Sequence, residues 1–261
     1  MPMPDTTVCT FWQGGVPSPY QCLSFKSFAD RGCRVEVFSY DPSVSLPRYV
    51  VRKNAAEILP PERVLRFLPE HGQFAVNIDL FRYALLAKRG GWWIDPDVVL
   101  LADELPRDDI FLAGPDELGF VSTAALKFPP QHPVPMIAEE FAVSHAAAVA
   151  QWPKAGAHYL TELVERHGLS SLICNIENVA PIPRSACLAL FSPHEQSLAN
   201  AAVFLDLHYD AWLHARVPVQ SVPPIGSLLH HLLRTNNIAI DGPSERMNYG
   251  NLVQSFASLR K

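Results

Sequence analysis

The sequence predicts an α/β fold in which helices flank a central mixed sheet. Two observations support this prediction. The chain opens with a strand–helix–strand pattern, and a helix pattern over residues 77–89 leads directly into a short apolar strand at residues 92–94. A strand–helix–strand unit makes its two strands parallel, and ligands bind beyond the carboxyl ends of such strands. Regular alternation of strands and helices is typical of a sheet that is covered by helices.

The opening unit consists of a strand from Val8 to Trp12, a helix from Tyr20 to Arg31 and a strand from Val35 to Tyr40. It lacks the G-x-G-x-x-G pattern, so it does not hold a nucleotide on a dinucleotide-type glycine loop. The first strand ends in Phe11, Trp12 and Gln13. A nucleotide base or ribose can stack on an aromatic ring at this edge, and an indole that only covers the sheet edge explains the sequence equally well.

The segment from Asn77 to Leu101 carries the densest set of informative residues. Its first part is an apolar helix pattern, for which Asn77 is the expected N-cap. Gly90-Gly91 stops the helix, because glycine adopts the left-handed exit conformation at little cost. The buried strand Trp92-Trp93-Ile94 follows, Asp95-Pro96-Asp97 interrupts it, and residues 98–101 continue as extended apolar chain.

Asp95 and Asp97 are two residues apart, so in an extended chain their side chains point the same way. Two such carboxylates repel each other and any phosphate unless a divalent cation lies between them. With Mg²⁺ or Mn²⁺ the pair becomes a receptor for a diphosphate. An isolated Asp-x-Asp is more often a surface turn. Here the flanking residues are apolar, which favours a functional pair.

Asp79, Arg82 and Tyr83 stand at helical spacing and therefore share one face of the predicted helix. A carboxylate accepts hydrogen bonds and a guanidinium donates them in a fixed fork, so the pair suits the hydroxyls of a sugar. The simpler interpretation is an ion pair within the helix, which contributes only a few tenths of a kcal/mol.

The rest of the chain shows shorter patterns. They predict a short helix at Glu62 to Leu68, a strand at Ile110 to Gly114, a Pro-rich loop at Phe128 to Pro135, helices at Met136 to Ala150 and Tyr159 to His167, a strand at Val203 to Tyr209, a linker at Val217 to Pro224 and an amphipathic helix at Gly226 to Thr235. Alternation along the late strand would place Asp206, His208 and Asp210 on one face. The leucines of the last helix are expected to pack on the body of the protein.

Composition excludes several classes of protein. The 261 residues are 48% hydrophobic and 18% charged, with a net charge of −5, which indicates a well-buried globular protein. Nucleic acid is not expected as a ligand, because no basic run is present. The N-terminal residues lack the features of a secretory signal, and no apolar run reaches the length of a membrane span. Five cysteines without a C-x-x-C pair indicate reduced thiols. We therefore expect a cytoplasmic protein.

These motifs together resemble the D-x-D glycosyltransferase family, which includes mannosyltransferases and α-1,4-galactosyltransferases. The resemblance is dense over residues 77–101, where Asp-x-x-Arg-Tyr, Gly-Gly and Asp-x-Asp follow in order. Residues 11–15 resemble the opening strand and turn of the family, and Gly156 with the helix from Tyr159 to Glu165 resembles a later segment. His208 and Trp212 resemble a closing element, although Ala211 stands in place of its serine.

The resemblance implies a GT-A fold and a metal-dependent, retaining transfer of a hexose. The donor would be a UDP- or GDP-sugar, the cofactor Mn²⁺ or Mg²⁺, and the acceptor a glycan or glycolipid, with peripheral membrane contact as an option. Residues 1–261 would form one domain, with a nucleotide-sugar-binding half (1–101), an acceptor-side half (102–216) and a C-terminal linker and helix (217–261). The implied residues are Asp95 and Asp97 for catalysis; Asp79, Arg82, Tyr83 and Gly91 for the donor sugar; Phe11, Trp12, Gln13, Asp95 and Trp212 for the nucleotide; and Asp97, Asp95 and His208 for the metal.

Two other functions fit part of the sequence. A phosphatase of the haloacid-dehalogenase type would use Asp95 as nucleophile. Its remaining roles could fall to Ser122 or Thr123, Lys127 or Lys154, and Asp206 with Asp210. This interpretation gives no role to the Asp79-x-x-Arg82 pattern. A protein that binds nucleotide sugars without turnover is the other alternative, and the intact Asp95 and Asp97 argue against it.

Overall fold

A computed structural model of the chain describes residues 6–65, 74–145, 156–193, 198, 202–239 and 246–257. Its strands are β1 (Thr7–Phe11), β2 (Arg34–Ser39), β3 (Val51–Asn54), β4 (Gly91–Ile94), β5 (Val98–Leu100), β6 (Leu112–Gly114), β7 (Ala125–Phe128), β8 (Ile173–Asn175) and β9 (Phe204–Asp206). Its α-helices are α1 (Pro19–Ala29), α2 (Pro61–Leu65), α3 (Phe74–Arg89), α4 (Pro133–His145), α5 (Ala157–Arg166), α6 (Tyr209–His214), α7 (Leu228–Thr235) and α8 (Tyr249–Ala257).

The predicted central mixed sheet is confirmed. It has five strands in the order β3-β2-β1-β4-β7, and helices flank it. The first four strands are parallel and β7 is antiparallel to β4. Two small pairs, β5 with β9 and β6 with β8, extend the fold. Parallel strands place all their carboxyl ends at one edge, so the chain after β1, β2 and β4 converges there.

The sheet is covered on both faces because successive strand residues point to opposite sides. From β1, Val8 packs with Phe25 and Phe28 of α1. Its neighbour Cys9 belongs to the cluster on the other face, which includes Leu80 of α3. A third apolar cluster joins the C-terminal helices to α1 and β5. Within the described residues, no helix is long and apolar enough to cross a membrane.

Three predicted boundaries were wrong. Helix α3 begins at Phe74, so Asn77 lies inside the helix, where its buried side-chain amide has no hydrogen-bond partner among the described residues. Helix α4 begins at Pro133 inside the predicted loop, because proline is well tolerated in a first helical turn, where its missing N–H is not needed. The late strand ends at Asp206, and Tyr209 already begins α6. Residues 66–68 and 146–150 of two predicted helices lie outside the described residues.

The turn from α3 into β4 depends on Gly90. Its φ is +62°, and its N–H donates to the carbonyl of Leu86 at 2.9 Å. A Cβ at this position would lie 2.3 Å from the backbone nitrogen of Pro130. Both the backbone conformation and the close approach therefore require glycine.

Replacing Gly90 with alanine is expected to lower the free energy of unfolding by more than about 3 kcal/mol, because strain and a steric clash add. Gly32 is a matched control, since its φ is +80° but nothing lies within 4 Å of a new Cβ. Gly32→Ala should cost only about 1 kcal/mol. Denaturant unfolding measures both values, and equal losses would contradict the assigned clash.

Candidate functional site

The candidate site lies at the carboxyl edge of the sheet, where Asp95 directly follows β4. The backbone N–H of Asp95 donates to the carbonyl of Ala124 at 2.7 Å, and the N–H of Val98 donates back to the Asp95 carbonyl at 3.1 Å. Asp95 and Asp97 are therefore held by a tight turn, and the extended geometry assumed from the sequence was wrong. The turn still keeps both half-buried carboxylates at the same edge.

Arg82 is the buried centre of this site. One guanidinium amino group donates to Asp79, on the same face of α3, and the other donates to Asp95 Oδ1 at 2.6 Å. The indole N–H of Trp93 donates to the same Asp95 oxygen at 2.7 Å. Only 3% of the Arg82 side chain is exposed. Both terminal amino groups are used by protein carboxylates, so Arg82 orients Asp79 and Asp95 in this structure.

Asp79 is enclosed from a second direction by the start of α5. A Cβ on Gly156, the N-cap of α5, would lie 2.9 Å from Asp79 Oδ2. Tyr83 is completely buried, and its hydroxyl donates to the Gly156 carbonyl at 3.2 Å. The helix face predicted from the sequence therefore exists, but Tyr83 uses its hydroxyl to fix Gly156 beside Asp79.

The chain returns to Asp97 from the far C-terminal part. The N–H of Leu207 donates to the Asp97 carbonyl at 3.1 Å, and the N–H of Tyr209 donates to Asp97 Oδ2 at 2.9 Å. Between them, His208 adopts the left-handed conformation, with φ of 54°. The predicted alternation of Asp206, His208 and Asp210 on one strand face is therefore wrong, because the chain turns at His208 and enters α6.

His208 and Trp212 were predicted to reach the metal and the nucleotide. His208 Nε2 lies 2.8 Å from the Ile182 carbonyl and must donate to it, since a carbonyl only accepts. Nδ1 then faces Asp206 Oδ2 at 3.4 Å. Trp212 is completely buried against Tyr20, and its indole N–H makes no hydrogen bond within the described residues. The ligand roles of both residues stay predictions.

Negative charge accumulates around Asp97. Burial, opposed by Arg82, raises the pKa of Asp95 to about 6. Burial first, and then the nearby carboxylates of Asp206 and Asp95, raise the pKa of Asp97 well above its usual value. Asp206 was predicted as a member of the late cluster with His208 and was given no role at the metal; its place opposite Val98 in the β5–β9 pair brings it here. Sequence spacing gave no signal for that pairing.

Carboxylate oxygens crowded in this way suit a hard divalent cation such as Mn²⁺ or Mg²⁺. In the part of the chain that the structure describes, no three His, Cys, Asp or Glu side chains are placed to hold one ion together.

The part of the edge that was predicted to bind the nucleotide is formed by the ends of β1 and β2. Gln13 accepts a hydrogen bond from the N–H of Tyr40 at 3.2 Å, and the half-buried indole of Trp12 donates to the Gly15 carbonyl at 2.9 Å. Phe11 is only 1% exposed and stacks on Phe81 inside the core. Phe11 therefore packs in the core beneath this edge, and its ring is not exposed to solvent.

Gly91 was predicted to bind the donor sugar, but it begins β4 while Asp95 follows its end. Strand geometry separates the two by roughly 13 Å, at opposite edges of the sheet. The conformation of Gly91, with φ of +84°, serves the turn out of α3.

The residues of the phosphatase alternative gather at Asp95 only in part. The N–H of Asp95 donates to the carbonyl of Ala124, which follows Thr123, and Asp206 lies near Asp95, but the described lysine and Asp210 have other partners. Lys127 pairs in register with Trp92, and its ammonium group donates to backbone carbonyls of Arg107 and Asp108. Asp210 pairs with Arg184 at 2.7 Å in an exposed position. Lys154 lies outside the described residues. No described lysine of this alternative faces Asp95.

Comparisons with known proteins support the fold. No family model matches the sequence, and no curated protein does. Among solved structures, the chain is similar to one named PaToxG Glycosyltransferase, with a TM-score of 0.50 and 16% sequence identity. The match covers 64% of this chain and 72% of that chain. At this identity the likeness shows a shared fold alone.

Arg82→Met is expected to lower the free energy of unfolding by about 3–5 kcal/mol near pH 7.5, because it leaves two carboxylates buried without their cation. Without Arg82, the pKa values of Asp79 and Asp95 in the folded variant would exceed those in the unfolded chain. The folded variant therefore binds extra protons as the pH falls, and its loss of stability relative to the wild type becomes smaller toward about pH 5. Arg184→Met is the control, since its pair with Asp210 is 51% and 60% exposed; it should cost less than about 1 kcal/mol. Denaturant unfolding at both pH values measures the free energy of unfolding of each variant. Equal losses for Arg82→Met and Arg184→Met would refute the central role of Arg82.

Proposed function

We propose that the protein is a metal-dependent glycosyltransferase that moves a hexose from a nucleoside-diphospho-sugar to a hydroxyl acceptor. The observation that carries this proposal is the group of Asp79, Arg82, Asp95 and Asp97 at the carboxyl edge of the sheet. The similarity of the fold to a glycosyltransferase supports it. In an α/β fold this edge is where ligands bind.

The net negative charge of the site supports a donor whose binding depends on a divalent cation. Asp79, Asp95, Asp97 and Asp206 carry four negative charges when ionised, and Arg82 is the buried cation paired with two of them. A diphosphate would be repelled by this excess of negative charge. Asp97 would hold the cation, with Asp95 beside it directly or through water. When bound, Mn²⁺ or Mg²⁺ would neutralise charge on the leaving diphosphate.

The protein residues orient the donor around that point. Asp79 would accept hydrogen bonds from donor-sugar hydroxyls, and its orientation is set by Arg82 and Gly156. Trp12 and Gln13 would bind the nucleoside at the ends of β1 and β2. A leaving phosphate oxygen can take the proton of the acceptor hydroxyl, so a dedicated carboxylate base is not required. We propose retention of the anomeric configuration, as in the family that the sequence resembles.

Donor binding should require a divalent cation. In calorimetry with UDP and with GDP, we expect Mn²⁺ to tighten the binding of one of them at least about tenfold relative to EDTA. Asp97→Asn should reduce hexose transfer, scored as nucleoside diphosphate release from a nucleotide-sugar panel, by about 100-fold or more. Asp109→Asn is the matched control, because Asp109 is an exposed acid on the loop before β6.

Equal affinity with Mn²⁺ and with EDTA would remove the metal from the proposal. Turnover of p-nitrophenyl phosphate that Asp95→Asn abolishes would replace the transferase with the phosphatase. Tight binding of nucleotide sugars with no product release in any combination would indicate a binding protein.

Gly156→Ala should weaken nucleotide-sugar binding about tenfold and leave the free nucleoside diphosphate unchanged. The reason is that the new Cβ, 2.9 Å from Asp79 Oδ2, must displace that carboxylate. Asp79→Ala should show the same split. Calorimetry with both ligands measures it, and equal weakening of both would show that Asp79 does not contact the sugar.

A further inference from the structure

We propose that Phe120 and His158 form an acceptor subsite, in which their two rings hold a hexose unit of the acceptor beside the donor sugar. The inference deepens the proposed function and rests on it for the position of the donor at Asp79. It names the acceptor as a sugar from the chemistry of the surface that would receive it. Neither ring belongs to the site predicted from the sequence.

The two rings meet at a corner. The ring centroids of Phe120 and His158 lie 5.1 Å apart, and the ring planes are inclined by 70°. Phe120 is half-buried, and 40% of the His158 side chain is exposed. A hexose ring presents C–H groups that pack on the electron-rich face of an aromatic ring, and hydroxyls that bond to polar atoms such as an imidazole nitrogen. The corner offers both kinds of contact.

The start of α5 carries this corner next to Asp79. His158 is the second residue of the helix and stands two positions after Gly156, where a Cβ would lie 2.9 Å from Asp79 Oδ2. The Tyr83 hydroxyl donates to the Gly156 carbonyl at 3.2 Å, which fixes this end of α5 on α3. His158 is therefore within one helical turn of the residue that lies against the proposed donor-sugar ligand.

Hydrogen bonds hold the backbone around Phe120. Asp116 Oδ1 accepts from the N–H of Phe120 at 2.9 Å, and the N–H of Asp116 donates to the Phe120 carbonyl at 2.8 Å. The next N–H, that of Val121, donates to Thr161 Oγ1 of α5 at 2.8 Å. The loop that carries Phe120 is thus bonded to the same helix that carries His158, so the two rings are positioned together before a ligand binds.

The same segment continues to the other end of the donor position. The Ala124 carbonyl accepts from the N–H of Asp95 at 2.7 Å, so residues 120–124 run from the aromatic corner to the proposed cation site. A hexose in the corner is then a neighbour of the donor sugar. In the transfer, the bond from the anomeric carbon to the diphosphate oxygen breaks, a bond to the acceptor hydroxyl oxygen forms, and the hydroxyl proton passes to the diphosphate.

The test is transfer to the methyl glycosides of glucose, galactose and mannose, with Mn²⁺ and the nucleotide sugar that the wild type turns over. Phe120→Leu keeps an apolar side chain and removes the ring, so it should raise KM for the best glycoside about fivefold to tenfold and change kcat by less than about twofold. His158→Gln, which keeps a polar group, should act in the same direction. Phe256→Leu is the matched control, since Phe256 is also half-buried but packs near Phe191 in the C-terminal cluster.

The possible outcomes separate the subsite from the proposed function. Equal KM values for Phe120→Leu and Phe256→Leu overturn the aromatic subsite. Release of nucleoside diphosphate to water that no methyl glycoside accelerates overturns the sugar acceptor and leaves the proposed function standing. If the wild type turns over no nucleotide sugar, the proposed function fails, and saturation-transfer NMR with the same glycosides then decides the subsite. The signal of the glycoside ring protons should fall about fivefold in Phe120→Leu, and an absent or unchanged signal overturns the subsite.

Discussion

The candidate site depends on one buried cation. Arg82 is nearly inaccessible to water, and a guanidinium in that position is tolerable only if carboxylates and hydrogen bonds surround it. Asp79 supplies one partner from the same helix and Asp95 supplies the other from the end of β4. The Arg82–Asp95 pair therefore joins α3 to the end of the strand that carries the site, so a residue proposed to bind the cation also holds these two elements together.

The parts of this arrangement that rest on local patterns could be predicted from the sequence. Helical spacing placed Asp79 and Arg82 on one face, glycine chemistry ended α3 at Gly90, and the opening strand–helix–strand pattern predicted the parallel part of the sheet. The boundaries failed where a local preference was ambiguous. Asn77 can cap a helix or lie within one, and Pro133 can end a loop or begin a helix.

The parts that depend on distant pairing could not be predicted. Tyr209 meets Asp97 across a sequence separation of 112 residues. Asp206 reaches the site only because β9 pairs with β5, and nothing in the spacing of either strand specifies that partner. Phe11 illustrates the opposite error: an aromatic at a strand end suggested a binding surface, but stacking on Phe81 places it in the core. Tertiary packing sets the direction in which a side chain at a strand end points, and that packing cannot be read from a single sequence.

The crowding of carboxylates is the strongest argument that this edge has a ligand. A turn between two buried strands needs only one residue that accepts hydrogen bonds, and a neutral asparagine or serine would meet that need without charge repulsion. Here burial first, and then the carboxylates of Asp206 and Asp95, disfavour the charge of Asp97 and raise its pKa. Folding alone gives no reason for the acid at position 97, since asparagine there would relieve the repulsion between carboxylates. Local arrangements that oppose stability are expected where function requires them, and a cation bound with a diphosphate is the ligand that would convert this repulsion into attraction.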